Sequence, residues 1–77
     1  MNTHNKFDLS FGRKNFKTVC YIDRWDEYTE NIQVEKDVYG EIINLGNIYN
    51  AYFFCFLDAA GNIEKMVSLT DILQIEI

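Results

Sequence analysis

Seven runs of six or seven residues, rich in β-branched and aromatic side chains, recur along the chain: KFDLSF, FKTVCYI, ENIQVE, GEIINL, AYFFCFL, IEKMVSL and ILQIEI. Such side chains pack well on a pleated surface, and turn signals fall between the runs roughly every ten residues. The glycines at Gly12, Gly40, Gly46 and Gly61 are read as turns, and there is no proline. This pattern predicts an all-β domain, a small barrel or sandwich.

Phasing adds detail. In ILQIEI, Leu73, Ile75 and Ile77 alternate with Gln74 and Glu76, the pattern of a strand with one wet face. In AYFFCFLD both phases are apolar, so residues 51–57 are expected to be the most buried strand, covered on both faces. The DAAGN that follows contains a glycine suited to a hairpin connection, which makes residues 51–69 a β-hairpin with its tip at Ala59 to Asn62. In SLTDIL, Thr70 and Asp71 can bond neighbouring backbone amides, favouring a one-turn 3₁₀ element before a short closing strand. A strand, a single 3₁₀ turn and a last strand is how SH3-like barrels end. The expected architecture is therefore a small SH3-like barrel of about five to seven short antiparallel strands. Its core is expected to include Phe16, Ile22, Val34, Phe53, Cys55 and Leu57.

At 77 residues the chain is one domain, with residues 1–15 an N-terminal arm or first strand. A hydrophobic content of 48% and an aromatic content of 16% argue for a folded globule, since a disordered chain would be poorer in both. No apolar run approaches the roughly 18 residues of a membrane span, and the opening MNTHNKFDLS lacks the apolar stretch of a signal peptide, so a cytoplasmic protein is expected. Cys20 and Cys55 lie in apolar strand-like runs and are expected to be buried free thiols. With His4 as the single histidine they cannot furnish the four ligands of a structural zinc site, and no cofactor or metal is expected.

Charge is uneven. Residues 1–20 carry a balance of +3, leaving −8 for the remainder of a chain whose net charge is −5. Residues 23–41 alone hold Asp23, Asp26, Glu27, Glu30, Glu35, Asp37 and Glu41 against Arg24 and Lys36. Such a surface repels phosphate backbones, so direct nucleic-acid binding is disfavoured. The chain has no Gly-rich phosphate loop, HExxH or nucleophile elbow. A Cys/His pair would require His4 to reach a core thiol, and the carboxylates Asp23, Asp26 and Glu27 lack a sheltered cleft to split their pKa values. A non-enzymatic protein is expected.

The run AYFFCFLDAAGNIEKMVSLTDILQIEI resembles the end of a WYL domain, an SH3-like β fold of bacterial regulators, in which an aromatic strand is followed by a turn, a strand and a short leucine, Asp, Arg, isoleucine turn. Upstream, VCYIDRWDEYTENIQVEKDVYGEI is similar to that family's opening hairpin, so the likeness spans about residues 19–77. Tyr52 and Phe53 match the family's tyrosine and leucine, but Ala51 stands at its tryptophan position. Ser68 and Asp71 stand where the family usually carries arginines that face ligand or nucleic acid. The resemblance thus implies the fold but not the activity.

One hexamer remains. DRWDEY places the only tryptophan, Trp25, between Arg24 and a set of carboxylates, on the expected connection between FKTVCYI and ENIQVE at residues 23–29. Trp25 either folds back over the barrel mouth or, with Tyr28 and Tyr21, offers an aromatic surface rimmed by Asp23, Asp26 and Glu27 for a cationic partner. The favoured expectation is a protein-binding module docking a partner with a basic or mixed surface. The alternatives are a small acidic inhibitor of phage or mobile-element type that blocks a nucleic-acid site on a host defence enzyme, and a WYL-like sensor of a small ligand or nucleotide. A monomer is expected, with ILQIEI closing against KFDLSF; dimerisation through that edge is the alternative.

Overall fold

The computed structural model describes residues 12–46 and 51–77. Among them five antiparallel strands form one sheet: β1 (Lys14–Arg24), β2 (Glu30–Asn44), β3 (Tyr52–Leu57), β4 (Ile63–Ser68) and β5 (Ile72–Glu76), in the order β4-β3-β2-β1-β5. The first four follow one another as a meander. A single 3₁₀ turn, Leu69–Asp71, then carries the chain across so that the last strand pairs with the first. The all-β class and the one-turn element before the final strand are as read from the sequence. KFDLSF, and with it the expected closure of ILQIEI, lies outside the described residues, and β1 begins at Lys14, inside the segment read as an arm or first strand.

The hairpin tip falls at Ala59 to Asn62, as expected. Asp58 organises it: Oδ1 accepts from the backbone N–H of Ala60 (2.9 Å) and of Asn62 (2.8 Å), while Gly61 N–H donates to the Asp58 carbonyl at 2.9 Å. Gly61 takes φ +89°, a conformation that costs a glycine little.

Gly40 is not a turn. ENIQVE and GEIINL are the two ends of one 15-residue strand, β2, and Gly40 lies inside it, paired with Lys14 of β1 on one side and Phe56 of β3 on the other. At this point β2 passes from one partner to the other. A Cβ there would lie 2.7 Å from the Cys55 carbonyl oxygen and 2.7 Å from Cζ of Phe54, so the missing side chain admits an aromatic ring.

Three residues before Gly40, Asp37 takes φ +55°, and the ladder skips it between Phe16↔Val38 and Thr18↔Lys36. The burial phase of β2 reverses there. Ile32, Val34 and Lys36 are exposed, whereas Val38, Gly40 and Ile42 are buried. Strand β1 reverses beside it, from Phe16 and Thr18 to Val19 and Tyr21. These reversals correct the expected core. Phe16, Cys55 and Leu57 are buried, but Val34 is exposed, and Ile22 and Phe53 are only half-buried. The cluster is built from Phe16, Val19, Tyr21, Val38, Ile42, Phe54, Phe56, Val67 and Ile72. In β5 a bulge against Cys20 and Tyr21 makes Leu73 the extra residue, so Ile72 and Ile75 pack on the core while Leu73 and Ile77 are exposed.

Strand β3 is buried on both phases from Phe54 to Leu57, as its two-sided apolar pattern predicts. Phe54 sits between Phe16 and Phe56, with ring centroids 5.0 and 4.9 Å away in edge-on geometry.

Candidate functional site

The β1–β2 connection is a compact loop whose shape is set by its own Asp26, with Asp23 at the end of β1 holding the indole. Asp26 Oδ1 accepts from the backbone N–H of Tyr28 (2.7 Å) and of Thr29 (2.8 Å), and Trp25 N–H donates to the Thr29 carbonyl at 3.3 Å. The indole N–H of Trp25 donates to Asp23 Oδ2 at 3.2 Å, which ties the ring to the last turn of the ribbon. At the base, the Arg24 guanidinium donates from Nε (3.1 Å) and Nη2 (2.9 Å) to Asp71 Oδ1 and from Nη1 to Glu30. These two carboxylates hold Arg24 above its ordinary pKa. The loop is thereby pinned to the 3₁₀ turn on the far side of the chain.

With its backbone bonded to Asp26, the loop leaves its aromatic side chains outside: Trp25 is 70% and Tyr28 86% exposed. Trp25 does not fold back over the core. Glu27 makes no hydrogen bond or ion pair among the described residues, so its charge is directed to solvent. Asp23 at the end of β1 and Trp25, Asp26, Glu27 and Tyr28 on the loop that follows are therefore brought together.

Tyr21 is not with them. It is 1% exposed and belongs to the core, because it follows the phase reversal of β1. Its hydroxyl donates to Glu35 and accepts from Lys65 Nζ at 2.6 Å, and Lys65 also reaches Glu35 at 3.2 Å. Lys65 lies over the rings of Tyr21 (5.0 Å) and Phe56 (5.3 Å). Burial, aided by Glu35, pushes the Tyr21 phenol up. Sequence reasoning missed this cluster, since Lys65 is 44 residues from Tyr21 and no local motif joins them. A cavity of about 270 Å³ adjoins it, lined in part by Glu35, Val38, Phe56, Leu57 and Lys65.

The 3₁₀ turn also departs from expectation. Its backbone cap is Ser68, whose Oγ accepts from Thr70 N–H at 3.3 Å, while Asp71 engages Arg24 and bonds no amide of the turn. Thus the two positions that the WYL resemblance marks as ligand-facing hold a cap and an ion-pair partner. Among the described residues no group of three or more His, Cys, Asp or Glu is placed to hold a metal ion, and no helix is long and apolar enough to cross a membrane. His4 lies outside the described residues.

No family model, curated protein or solved structure matches the chain. The loop must be judged by its own chemistry.

The backbone amides of Tyr28 and Thr29 hold the Asp26 carboxyl below the ordinary aspartate range. A carboxyl whose pKa is lowered in the folded state stabilises that state above its unfolded pKa and loses the contribution as pH falls through the folded one. The loop should accordingly keep its shape through the ordinary carboxylate range and loosen only below it. Carboxyl-detected NMR should give Asp26 a midpoint below the ordinary aspartate range, with exchange of the Thr29 amide accelerating as Asp26 protonates. An ordinary aspartate midpoint would show that these two bonds do not form in solution.

Proposed function

We propose that the protein is a non-enzymatic binding module that docks a basic or mixed surface of a partner protein through the loop between β1 and β2. The observation that carries this is the exposure of Trp25 and Tyr28 on a loop whose backbone is already braced by Asp26 and the Arg24 ion pairs, with the indole held by Asp23. A braced loop loses little conformational freedom on binding, and Trp and Tyr are the side chains that most often anchor protein interfaces. The carboxylates around them steer a cationic partner, and Lys or Arg gains about 0.5–2 kcal/mol over an aromatic face. The same acids disfavour direct contact with nucleic acid.

Trp25→Ala tests the proposal because the indole contributes no core packing. Its melting temperature should stay within a few degrees of the parent, while affinity for a partner captured by the wild-type chain falls by at least about 2 kcal/mol, the scale of an interface hot spot. Glu27→Lys should mainly slow association and flatten its salt dependence, and it is a cleaner probe than Asp26, whose carboxylate also shapes the loop. Partner binding unchanged by Trp25→Ala would remove the loop from the interface.

A further inference from the structure

Exposed apolar surface continues from the loop onto the ribbon that carries it. Val19 and Tyr21 are in the core, so Cys20 and Ile22, which alternate with them, lie on the outer face of β1. The register sets Ile32 directly opposite Ile22 and Val34 directly opposite Cys20, which makes a two-by-two group of apolar side chains on one face. Ile32 is 67% and Val34 54% exposed. Single exposed aliphatics are ordinary on a soluble protein, but an adjoining group beside an exposed Trp and Tyr marks a contact surface. Arg24 and Glu30 occupy the next pair on the same face, so the group runs without interruption into residues 25–28.

The charge around this face has one sign in excess. Its loop end carries Glu30 and Asp71 with the loop acids Asp23, Asp26 and Glu27, and its far end carries Glu76, whose carboxylate accepts from Thr18 Oγ1. Arg24 is already held by Glu30 and Asp71, which leaves Lys36 as the other base on this face among the described residues.

We infer that the outer face of the β1–β2 ribbon, continuous with Trp25 and Tyr28, receives a cationic amphipathic segment of a partner protein, with aliphatic side chains seated on Ile22, Ile32 and Val34 and Lys or Arg side chains meeting Glu27 and Glu30. This rests on the loop reading above and names what the loop's partner must carry besides its charge. A second copy of the chain is the poorer occupant, because two acidic rims on chains of net charge −5 would face each other.

The test uses a synthetic peptide of leucine and lysine with its leucines at helical spacing, beside one of the same composition with the spacing scrambled and one with glutamate for lysine. Each is titrated into the ¹⁵N-labelled full chain. The first should bind at least about tenfold tighter than either control and shift amides at Ile22, Ile32 and Val34 together with residues 25–28. The double variant Ile32→Thr/Val34→Thr keeps β-branched side chains at exposed positions, so it should melt like the parent and bind about tenfold more weakly. Should that variant melt early, alkylation of the wild-type thiols decides: the peptide should slow reaction at half-buried Cys20, and an unchanged rate overturns the inference.

Shifts confined to residues 25–28 would overturn the ribbon surface and leave the loop reading standing. Shifts confined to the ribbon, with Trp25→Ala without effect, would uphold the face and remove the loop. Equal binding of the scrambled peptide would reduce the contact to charge and overturn the inference. Peptide-free broadening at Ile22, Ile32 and Val34 in a species of twice the 9.1 kDa chain mass would assign the face to a second copy and overturn it too.

Discussion

Phe54→Ala should leave the chain unfolded or barely folded at physiological temperature. Phe54 is fully buried, its ring edge-on to Phe16 and Phe56, and it lies on the strand whose two faces are both covered. Removing such a ring costs about 3–5 kcal/mol in lost transfer energy and residual cavity. A domain of this size has roughly 4–12 kcal/mol in total, taking about 0.05–0.15 kcal/mol per residue. Collapse around the void is restricted, because Phe16 and Phe56 are held by separate strands, β1 and β3, each hydrogen-bonded on both sides. Urea titration followed by near-ultraviolet circular dichroism measures the effect. A midpoint within experimental error of the parent would mean that the centre of the core lies elsewhere.

Gly40→Ala should destabilise the domain by about 3 kcal/mol, far more than the substitution costs at an ordinary strand position. Backbone strain is not the cause; space is. The new methyl would sit 2.7 Å from the Cys55 carbonyl oxygen and 2.7 to 2.8 Å from Cζ and Cε1 of Phe54. The carbonyl belongs to the β2–β3 ladder, and the ring is wedged between its two aromatic neighbours. Neither can retreat without giving up contacts of its own. In a double-mutant cycle, Phe54→Leu should relieve part of the Gly40→Ala penalty by removing the ring clash, while the clash with the carbonyl persists. Strict additivity would show that ring and glycine do not meet. An Ala variant as stable as the parent would show that β2 bends there by another means.

The two substitutions probe one construction. Strand β2 serves β1 with its first part and β3 with its last, and the change of partner occurs where Gly40 lets Phe54 lie across the backbone. The left-handed Asp37, three residues earlier, turns the side chains over so that Val38 and Ile42 join the core while Ile32 and Val34 are left outside. The proposed contact face and the core are thus consequences of the same bend. The loop shares in it, since the β1–β2 ribbon that carries Trp25 lies beyond Asp37, braced by β5, by the Arg24–Asp71 pair and by Lys65 at Tyr21 and Glu35.

Local composition determined most of the elements. Two-sided apolar character marked β3 as the buried strand, DAAGN held its own hairpin through Asp58 and Gly61, and the polar hexamer around Trp25 was a connection because it had nothing to bury. Each of these depends on side chains within a few residues, so the chain's order suffices to reveal it. What the tertiary structure decided has a longer range. The phase of a strand is legible only while its backbone stays extended, and a single aspartate with φ +55° inverts it, moving Val34 out and aligning Tyr21 with the core. Gly40 reads as a turn until Phe54, distant in sequence, fills the space above it. Asp71 reads as a capping residue until Arg24, 47 positions away, claims its carboxylate, and Ser68 takes the cap instead. For Gly40 and Asp71 the deciding partner comes from another strand, and pairing across the sheet is a property of the folded chain rather than of any one segment.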